Sequence, residues 1–122
     1  MKRRNRLSRS RDFEAVYRKG RSVSTRYLVL YSFPREDGDE PPRFGLAVSR
    51  KAGGAVERNR LKRRLRAVLD ELGGDVSAGR DYVLVARPGL AETVDARGVP
   101  WLSERVAEVF RLARGSEKAV ET

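Results

Sequence analysis

The residues most able to do chemistry in this chain are arginines and lysines gathered in one short segment. Residues 58–66 read RNRLKRRLR, so six of nine positions carry a positive charge. Guanidinium groups bind phosphate through paired hydrogen bonds, and the start of a helix also favours anions. The segment is therefore predicted to bind a polyanion, with a merely solvated basic face as the alternative interpretation.

A helix in this segment would carry its charges away from its apolar stripe, because successive residues rotate by about 100°. The side chains expected to point outward are Asn59, Arg60, Lys62, Arg63 and Arg66. Arg58 and Arg64 flank the stripe, where their stems can cover its edge while their heads reach solvent. Cations in the first turns of a helix oppose its dipole and repel one another, which favours a binding role over simple solvation.

Aromatic residues form a second candidate site. Phe13 and Tyr17 are one turn apart on a predicted helix, and Val29 and Tyr31 are two residues apart on a predicted strand. Helix and sheet together could form an aromatic groove, while ordinary core packing explains the spacing equally well. In a groove, stacking would favour a single nucleic-acid strand with little sequence preference.

The composition excludes several enzyme classes. The chain has no cysteine and no histidine, so zinc sites built on those ligands, thiol nucleophiles and histidine acid–base catalysis are absent. Acidic residues cluster at 36–40 and in predicted helices without a recognisable metal-ligand set. A metal-dependent nuclease is therefore the least favoured hypothesis, and no metal site within the protein is predicted.

Charge and length indicate one basic domain. The chain has 122 residues with 27 Lys and Arg against 17 Asp and Glu. Residues 1–26 hold 10 basic and 2 acidic residues, and residues 43–66 hold 9 and 1, so these two blocks supply the excess charge. Such an excess favours a nucleic acid or an anionic membrane face as partner. Neither a spanning apolar segment nor a signal sequence is recognisable, so we expect a soluble, cytoplasmic protein.

The predicted elements follow the order α-β-β-(β)-α-β-α, which indicates a single α/β domain over 1–122. They begin with a flexible basic arm at 1–8, a helix from Ser8 or Ser10 to Gly20, a possible short strand at 22–24, a strand at 27–33 and a turn at 34–42. A strand at 44–48, a helix at 56–72 and a strand at 81–87 follow. After that strand comes a loop with Pro88 and Gly89, which leads to a helix opened by Pro100 and a flexible tail at 115–122. The strands at 27–33 and 44–48 are expected to pair as a hairpin.

Alternation assigns a face to each strand residue. Tyr27, Val29, Tyr31 and Phe33 should share one face, with Leu28 and Leu30 on the other. In the next strand, bulky Phe44, Leu46 and Val48 alternate with small Gly45, Ala47 and Ser49. The small face is expected to let a backbone or ligand come close. The helix at 56–72 carries an apolar stripe formed by Leu61, Leu65, Val68, Leu69 and Leu72.

Three stretches carry a family resemblance. They are RLSRSRDFEAVYRKGRSV at 6–23, FGLAVSRKAGGAVERNRLKRRLR at 44–66 and DYVLVARPG at 81–89. In these stretches the chain resembles the protein subunit of bacterial ribonuclease P. The resemblance implies a two-layer α/β sandwich with a left-handed βαβ crossover. It also implies a role in assisting a catalytic RNA that removes the 5′ leader from precursor tRNA.

The resemblance also implies partners and site residues. By the resemblance, the residues that contact the catalytic RNA subunit are Lys51, Arg58, Asn59, Arg60, Lys62, Arg63 and Arg66. The residues that line the cleft for the leader strand are Phe13, Tyr17, Val29 and Tyr31. Cleavage would use Mg²⁺ held in the RNA-containing enzyme, with no catalytic residue in the protein and no obligate protein partner. The family often has Phe at the position of Tyr17. It also often has a polar residue near Gly54 that can cap the basic helix, so side-chain capping of this helix is unexpected here.

A ribosomal or other ribonucleoprotein component is the alternative assignment. It would use the same basic helix on RNA but would need no groove for a leader strand. Tyr31→Ala should therefore leave the function of such a protein intact.

Overall fold

The computed structural model of the chain describes residues 6–7, 10–34, 42–72 and 79–121, with only the backbone of residues 10, 52 and 116–121. The helices and strands are α1 Ser10–Lys19, β1 Arg21–Ser24, β2 Leu28–Pro34, β3 Arg43–Val48, α2 Ala55–Leu72, β4 Arg80–Ala86, α3 Leu90–Arg97 and α4 Val99–Glu121. A short 3-10 helix, Arg50–Ala52, precedes α2. The mixed α/β fold is as predicted, and the optional short strand is present as β1.

The four strands form one sheet in the order β1-β2-β4-β3. β4 is antiparallel to β2 and parallel to β3. The predicted hairpin of β2 and β3 is therefore wrong, because β4 lies between them. Residues 82–84 are buried on both faces of the sheet, as expected for a central strand. The length and polarity of the 34–42 segment do not require the two strands that it connects to pair with each other.

The parallel pairing of β3 and β4 makes β3–α2–β4 a βαβ unit, while the left hand of this crossover stays a prediction from the resemblance. At the entry to α2, the side chain of Ser49 accepts a hydrogen bond from the backbone N–H of Lys51 at 3.2 Å. Gly53 then adopts a φ of 132°, in the region that favours glycine. The 3-10 helix and this glycine thus lead directly from the sheet into the basic helix.

Helices cover both faces of the sheet. On one face, α2, α3 and α4 pack on Leu28, Leu30, Phe44 and Leu84 to form the larger core. On the other face, α1 contributes Val16 to a smaller core with Leu7 and Val83, against which Phe13 and Tyr31 pack. The predicted two-layer sandwich corresponds to the sheet with α2–α4, and α1 adds a partial third layer. The predicted faces of β3, and those of β2 from Leu28 onward, are confirmed.

Tyr27 does not follow the predicted alternation. It precedes β2 in a bend and packs on the larger core, with its ring centroid 5.0 Å from that of Trp101. The regular alternation of the strand begins only at Leu28, which explains why Tyr27 leaves the face that it was predicted to share with Val29.

Both ends of the chain and the segment at 90–97 also differ from the prediction. Arg6 bridges Phe44 in parallel, and Leu7 is buried, so these two residues of the predicted arm pack on the sheet. Residues 1–5 and 8, like 35–41 of the predicted turn, lie outside the described residues. α3 was expected to be a loop. α4 does not end near Gly115 but continues to Glu121, since a helix tolerates one glycine at a cost of about 1 kcal/mol.

Candidate nucleic-acid interface

The predicted aromatic groove lies on the face of the sheet covered by α1. The ring centroids of Phe13 and Tyr17 are 6.4 Å apart. The edge of one ring meets the face of the other between Tyr17 and Tyr31, with centroids 4.9 Å apart. Val29 lies two residues before Tyr31 in the same strand and so shares its face. The structure thus brings the four predicted groove residues to one face.

Phe13 fills the small-residue face of β3. A Cβ built on Gly45 would lie 2.6 Å from Cζ of Phe13 and 3.2 Å from Cβ of Leu7. The predicted close approach at this glycine is therefore made by the protein's own aromatic ring. Phe13 and Tyr31 are both half-buried against the smaller core, so the core-packing interpretation fits these two rings better than the exposed Tyr17.

Tyr17 is the accessible residue of this aromatic face. It is 42% exposed, whereas Tyr31 is half-buried. Partial burial, and secondarily the nearby Tyr31 phenol, raise the pKa of Tyr17 above its ordinary value. The Tyr17 ring therefore stays neutral at physiological pH and offers both an aromatic face and a hydroxyl donor to a ligand.

An ion network fixes α1 against the sheet. Nε of Arg43 donates to Oδ1 of Asp81 at 2.8 Å, and Nη2 of Arg43 donates to Oδ2 at 2.7 Å. Nη1 of Arg43 also lies 3.8 Å from Oδ2 of Asp12, the residue before Phe13. The network connects the start of α1 to β3 and β4. Sequence reasoning missed it, because Arg43 and Asp81 are 38 positions apart and neither stands in a recognisable motif.

The basic helix α2 lies on the opposite face of the sheet from the groove. Its predicted apolar stripe is confirmed, since Leu61, Leu65, Val68 and Leu69 are buried. The predicted RNA-contact residues fall into two groups: Lys51, Asn59, Arg60 and Arg63 are exposed, whereas Arg58, Lys62 and Arg66 are half-buried. The exposed cations of α2 and the Tyr17–Tyr31 pair thus lie on opposite sides of the sheet.

Arg64 is half-buried at the edge of the stripe, and its guanidinium forms an exposed ion pair. Its Nη1 donates to Oδ1 of Asp95 at 2.8 Å, which ties α2 to α3. Sequence reasoning missed this pair because α3 was expected to be part of a loop.

Two cations of α2, Arg58 and Arg66, each have a buried Nε with no hydrogen-bond partner. Burial, and secondarily the positive charge of Arg6, lower the pKa of the Arg66 guanidinium.

Among the residues that the structure describes, no group of three or more metal-ligating side chains is placed to hold an ion. Within the same ranges, no helix has both the length and the apolarity needed to cross a bilayer.

Comparisons with known proteins agree on one family. The family model described as Ribonuclease P matches residues 1–100. The ribonuclease P protein component of Shouchella clausii is 46% identical over 87 residues, which cover 71% of this chain and 70% of that protein. The corresponding component of Bacillus cereus is 42% identical over 94 residues, covering 75% and 79% of the two chains.

Solved structures give the same result. The ribonuclease P protein of Thermotoga maritima superposes with a TM-score of 0.78 at 30% identity, covering 86% of this chain and 94% of that one. That of Staphylococcus aureus superposes with a TM-score of 0.71 at 30% identity, covering 87% and 97%.

Proposed function

The chain belongs to the ribonuclease P protein family, and we propose that it is the RNA-binding subunit that helps a catalytic RNA remove the 5′ leader from precursor tRNA. The family assignment makes it a component of ribonuclease P. The observation that carries the finer proposal is the placement of a basic helix and an aromatic groove on opposite faces of one sheet.

The basic helix holds the RNA subunit. Arg60, Arg63 and Asn59 are exposed on α2, and Lys51 is exposed just before it, so these side chains reach phosphates without rearrangement of the core. Arginine suits this role because its planar group grips a phosphate with two hydrogen bonds at once. Arg58, Lys62 and Arg66 extend the same contact along the helix.

The aromatic groove holds the leader strand of the precursor. Tyr17 and Tyr31 offer rings on which bases stack, and Phe13 and Val29 form the apolar wall beside them. Base stacking on aromatic side chains contributes about 1–3 kcal/mol per base and tolerates any sequence. This tolerance suits an enzyme that acts on many precursors.

The protein binds and positions, while the RNA subunit carries the chemistry with Mg²⁺. The chain lacks histidine and cysteine, so acid–base or nucleophilic catalysis by those groups is not available to it. Holding the leader and the RNA subunit together raises the effective concentration of the scissile bond at the RNA's metal site. The complex needs no further protein and acts in the cytoplasm.

Cleavage of precursor tRNA by the cognate RNA at low Mg²⁺, with and without the protein, tests the proposal. We expect clear stimulation by the protein and no cleavage by the protein alone. Absence of stimulation would overturn the role, and cleavage by the protein alone, abolished by an Asp or Glu substitution, would indicate a nuclease instead.

A further inference from the structure

We propose that α4 carries a self-complementary seam through which two copies of this chain associate, with their α4 helices antiparallel about a twofold axis. The seam consists of Trp101, Arg105, Glu108 and Leu112. Each apolar residue of the seam faces the other apolar residue in the second copy, and each charge faces the opposite charge. The proposal goes beyond the proposed function, which concerns only RNA partners.

The four seam residues share one side of α4. At about 100° per residue, they all fall within about 60° of one another around the helix axis. The side of α4 that packs in the larger core is centred about 100° away from the seam. The residues on that core side are Leu102, Val106, Val109 and Ala113. The seam therefore runs along a flank of the helix that the core does not occupy.

This flank of α4 is directed toward the β1 edge of the sheet. Trp101 meets Tyr27, which lies between β1 and β2, with ring centroids 5.0 Å apart. Phe110 lies on the opposite flank and packs against the rings of Phe44 in β3 and Tyr82 in β4. β1 and β3 are the two opposite edges of the sheet, and α2 contacts β3. A second copy on the seam thus leaves α2 and the aromatic groove accessible.

The seam is accessible, and its charges are only loosely paired within the chain. Leu112 is 48% exposed. The guanidinium of Arg105 lies 3.7 Å from a carboxylate oxygen of Glu104 and 3.6 Å from one of Glu108. Both distances are longer than the roughly 2.7–2.9 Å of a charge-assisted hydrogen bond. Arg105 and Glu108 can therefore form closer ion pairs with a second copy.

The spacing of the seam residues fits a twofold axis. In such an interface, if one residue contacts a second residue across the axis, the second contacts the first in return. The midpoint between Trp101 and Leu112 falls between Val106 and Ala107, and so does the midpoint between Arg105 and Glu108. One antiparallel register therefore pairs Trp101 with Leu112 of the second copy and Arg105 with its Glu108, and it makes each contact twice.

The charges also select the occupant and its direction. An RNA backbone is disfavoured here, because the carboxylates of Glu104 and Glu108 repel phosphate. A parallel pair of helices would place Arg105 opposite Arg105, so only the antiparallel pair brings opposite charges together. A seam along one helix buries a small area, which predicts reversible and weak association.

Charge reversal tests the seam, with analytical ultracentrifugation of the nucleic-acid-free protein at several concentrations as the measurement. The unaltered protein should show a reversible monomer–dimer equilibrium. Arg105→Glu and Glu108→Arg should each weaken self-association by at least about tenfold, because each change places like charges opposite each other twice. An equimolar mixture of the two variants should dimerise as the unaltered protein does, since every charge then faces its opposite. An ion pair confined to one helix cannot produce this rescue.

Two further variants complete the test, with circular dichroism to verify that each is folded. Leu112→Asp leaves Arg105 and its contacts unaltered and should also weaken self-association. Arg114→Glu is the matched control, because Arg114 is exposed on α4 about 150° away from the seam, and it should leave the equilibrium unchanged.

Three results would overturn the proposal. The first is an unaltered protein that stays monomeric up to about 1 mM. The second is a dimer that is equally stable in Arg105→Glu, Glu108→Arg and Leu112→Asp. The third is an equimolar mixture of the two charge-reversal variants that remains monomeric.

Discussion

The ring of Phe13 lies directly over Gly45, so that a Cβ on Gly45 would stand 2.6 Å from Cζ of Phe13. This contact places α1 at a fixed height above β3 and thereby sets the wall of the aromatic groove. The glycine is needed here for its lack of a side chain, because its φ does not lie in the left-handed region.

Gly45→Ala should displace Phe13 and lower the free energy of unfolding by about 1–3 kcal/mol, as for other overpacked cores. Urea denaturation measures this loss. Gly115→Ala is the matched control, because no atom lies within 4 Å of its added Cβ and alanine favours a helix. It should leave stability equal or higher. Equal stability of Gly45→Ala and the unaltered protein would contradict the tight contact.

Arg43→Ala should destabilise the fold far more than the loss of a surface ion pair. The change removes two hydrogen bonds to the carboxylate of Asp81, which is 4% exposed. Hydrogen bonds to charged groups contribute about 1.5–3 kcal/mol. In contrast, Arg64→Ala breaks the exposed pair with Asp95 and should cost less than about 1 kcal/mol. If chemical denaturation gives similar losses of stability for Arg43→Ala and Arg64→Ala, the burial of Asp81 does not strengthen its pairing with Arg43.

The free energy of unfolding should fall at high pH because of the ionisation of Tyr17. Its pKa lies above the ordinary value of 10.0 in the folded chain, so the folded state keeps a proton that the unfolded chain loses. The free energy of unfolding should therefore be unaffected below about pH 9 and should fall as the pH rises past 10. Urea denaturation of Tyr17→Phe should show a smaller fall than the unaltered protein over this range. Parallel curves would contradict the partial burial of this phenol.

Arg60→Ala and Arg63→Ala should each weaken binding to the RNA subunit and reduce its dependence on salt. Every phosphate contact that is lost lowers the slope of log affinity against log salt by about 1. Affinity measured at several salt concentrations gives this slope. Arg111→Ala, exposed on α4, should leave it unchanged. An unchanged slope in Arg60→Ala and Arg63→Ala would contradict the proposal that α2 binds phosphate groups.

Local spacing predicted the parts of the fold that local physics determines. The leucine stripe of α2 and the alternation from Leu28 onward follow from the helical and strand periods, and both are observed. The insertion of β4 between β2 and β3 could not be predicted in this way, because strand order depends on which strand buries both faces. The helix α3 was missed because it starts after Gly89 without a side-chain cap.

In the candidate site, too, local spacing predicted some contacts and not others. Sequence spacing identified Tyr17 and Tyr31 as possible neighbours, and the structure places their rings in contact. Sequence spacing did not indicate the pairing of Arg43 with Asp81, since the two residues lie 38 positions apart on strands whose parallel pairing was not predicted. Such long-range pairs appear only when the strands that connect them are in place.

The central claim is that the two faces of the sheet bind different RNA segments. The chain has no cysteine, so Tyr17→Cys, Tyr31→Cys and Arg60→Cys each introduce a unique thiol for a photo-crosslinker. In the complex with the RNA subunit and precursor tRNA, probes at positions 17 and 31 should crosslink to the leader, and a probe at 60 should crosslink to the RNA subunit. Crosslinks from all three positions to one and the same RNA segment would contradict the account.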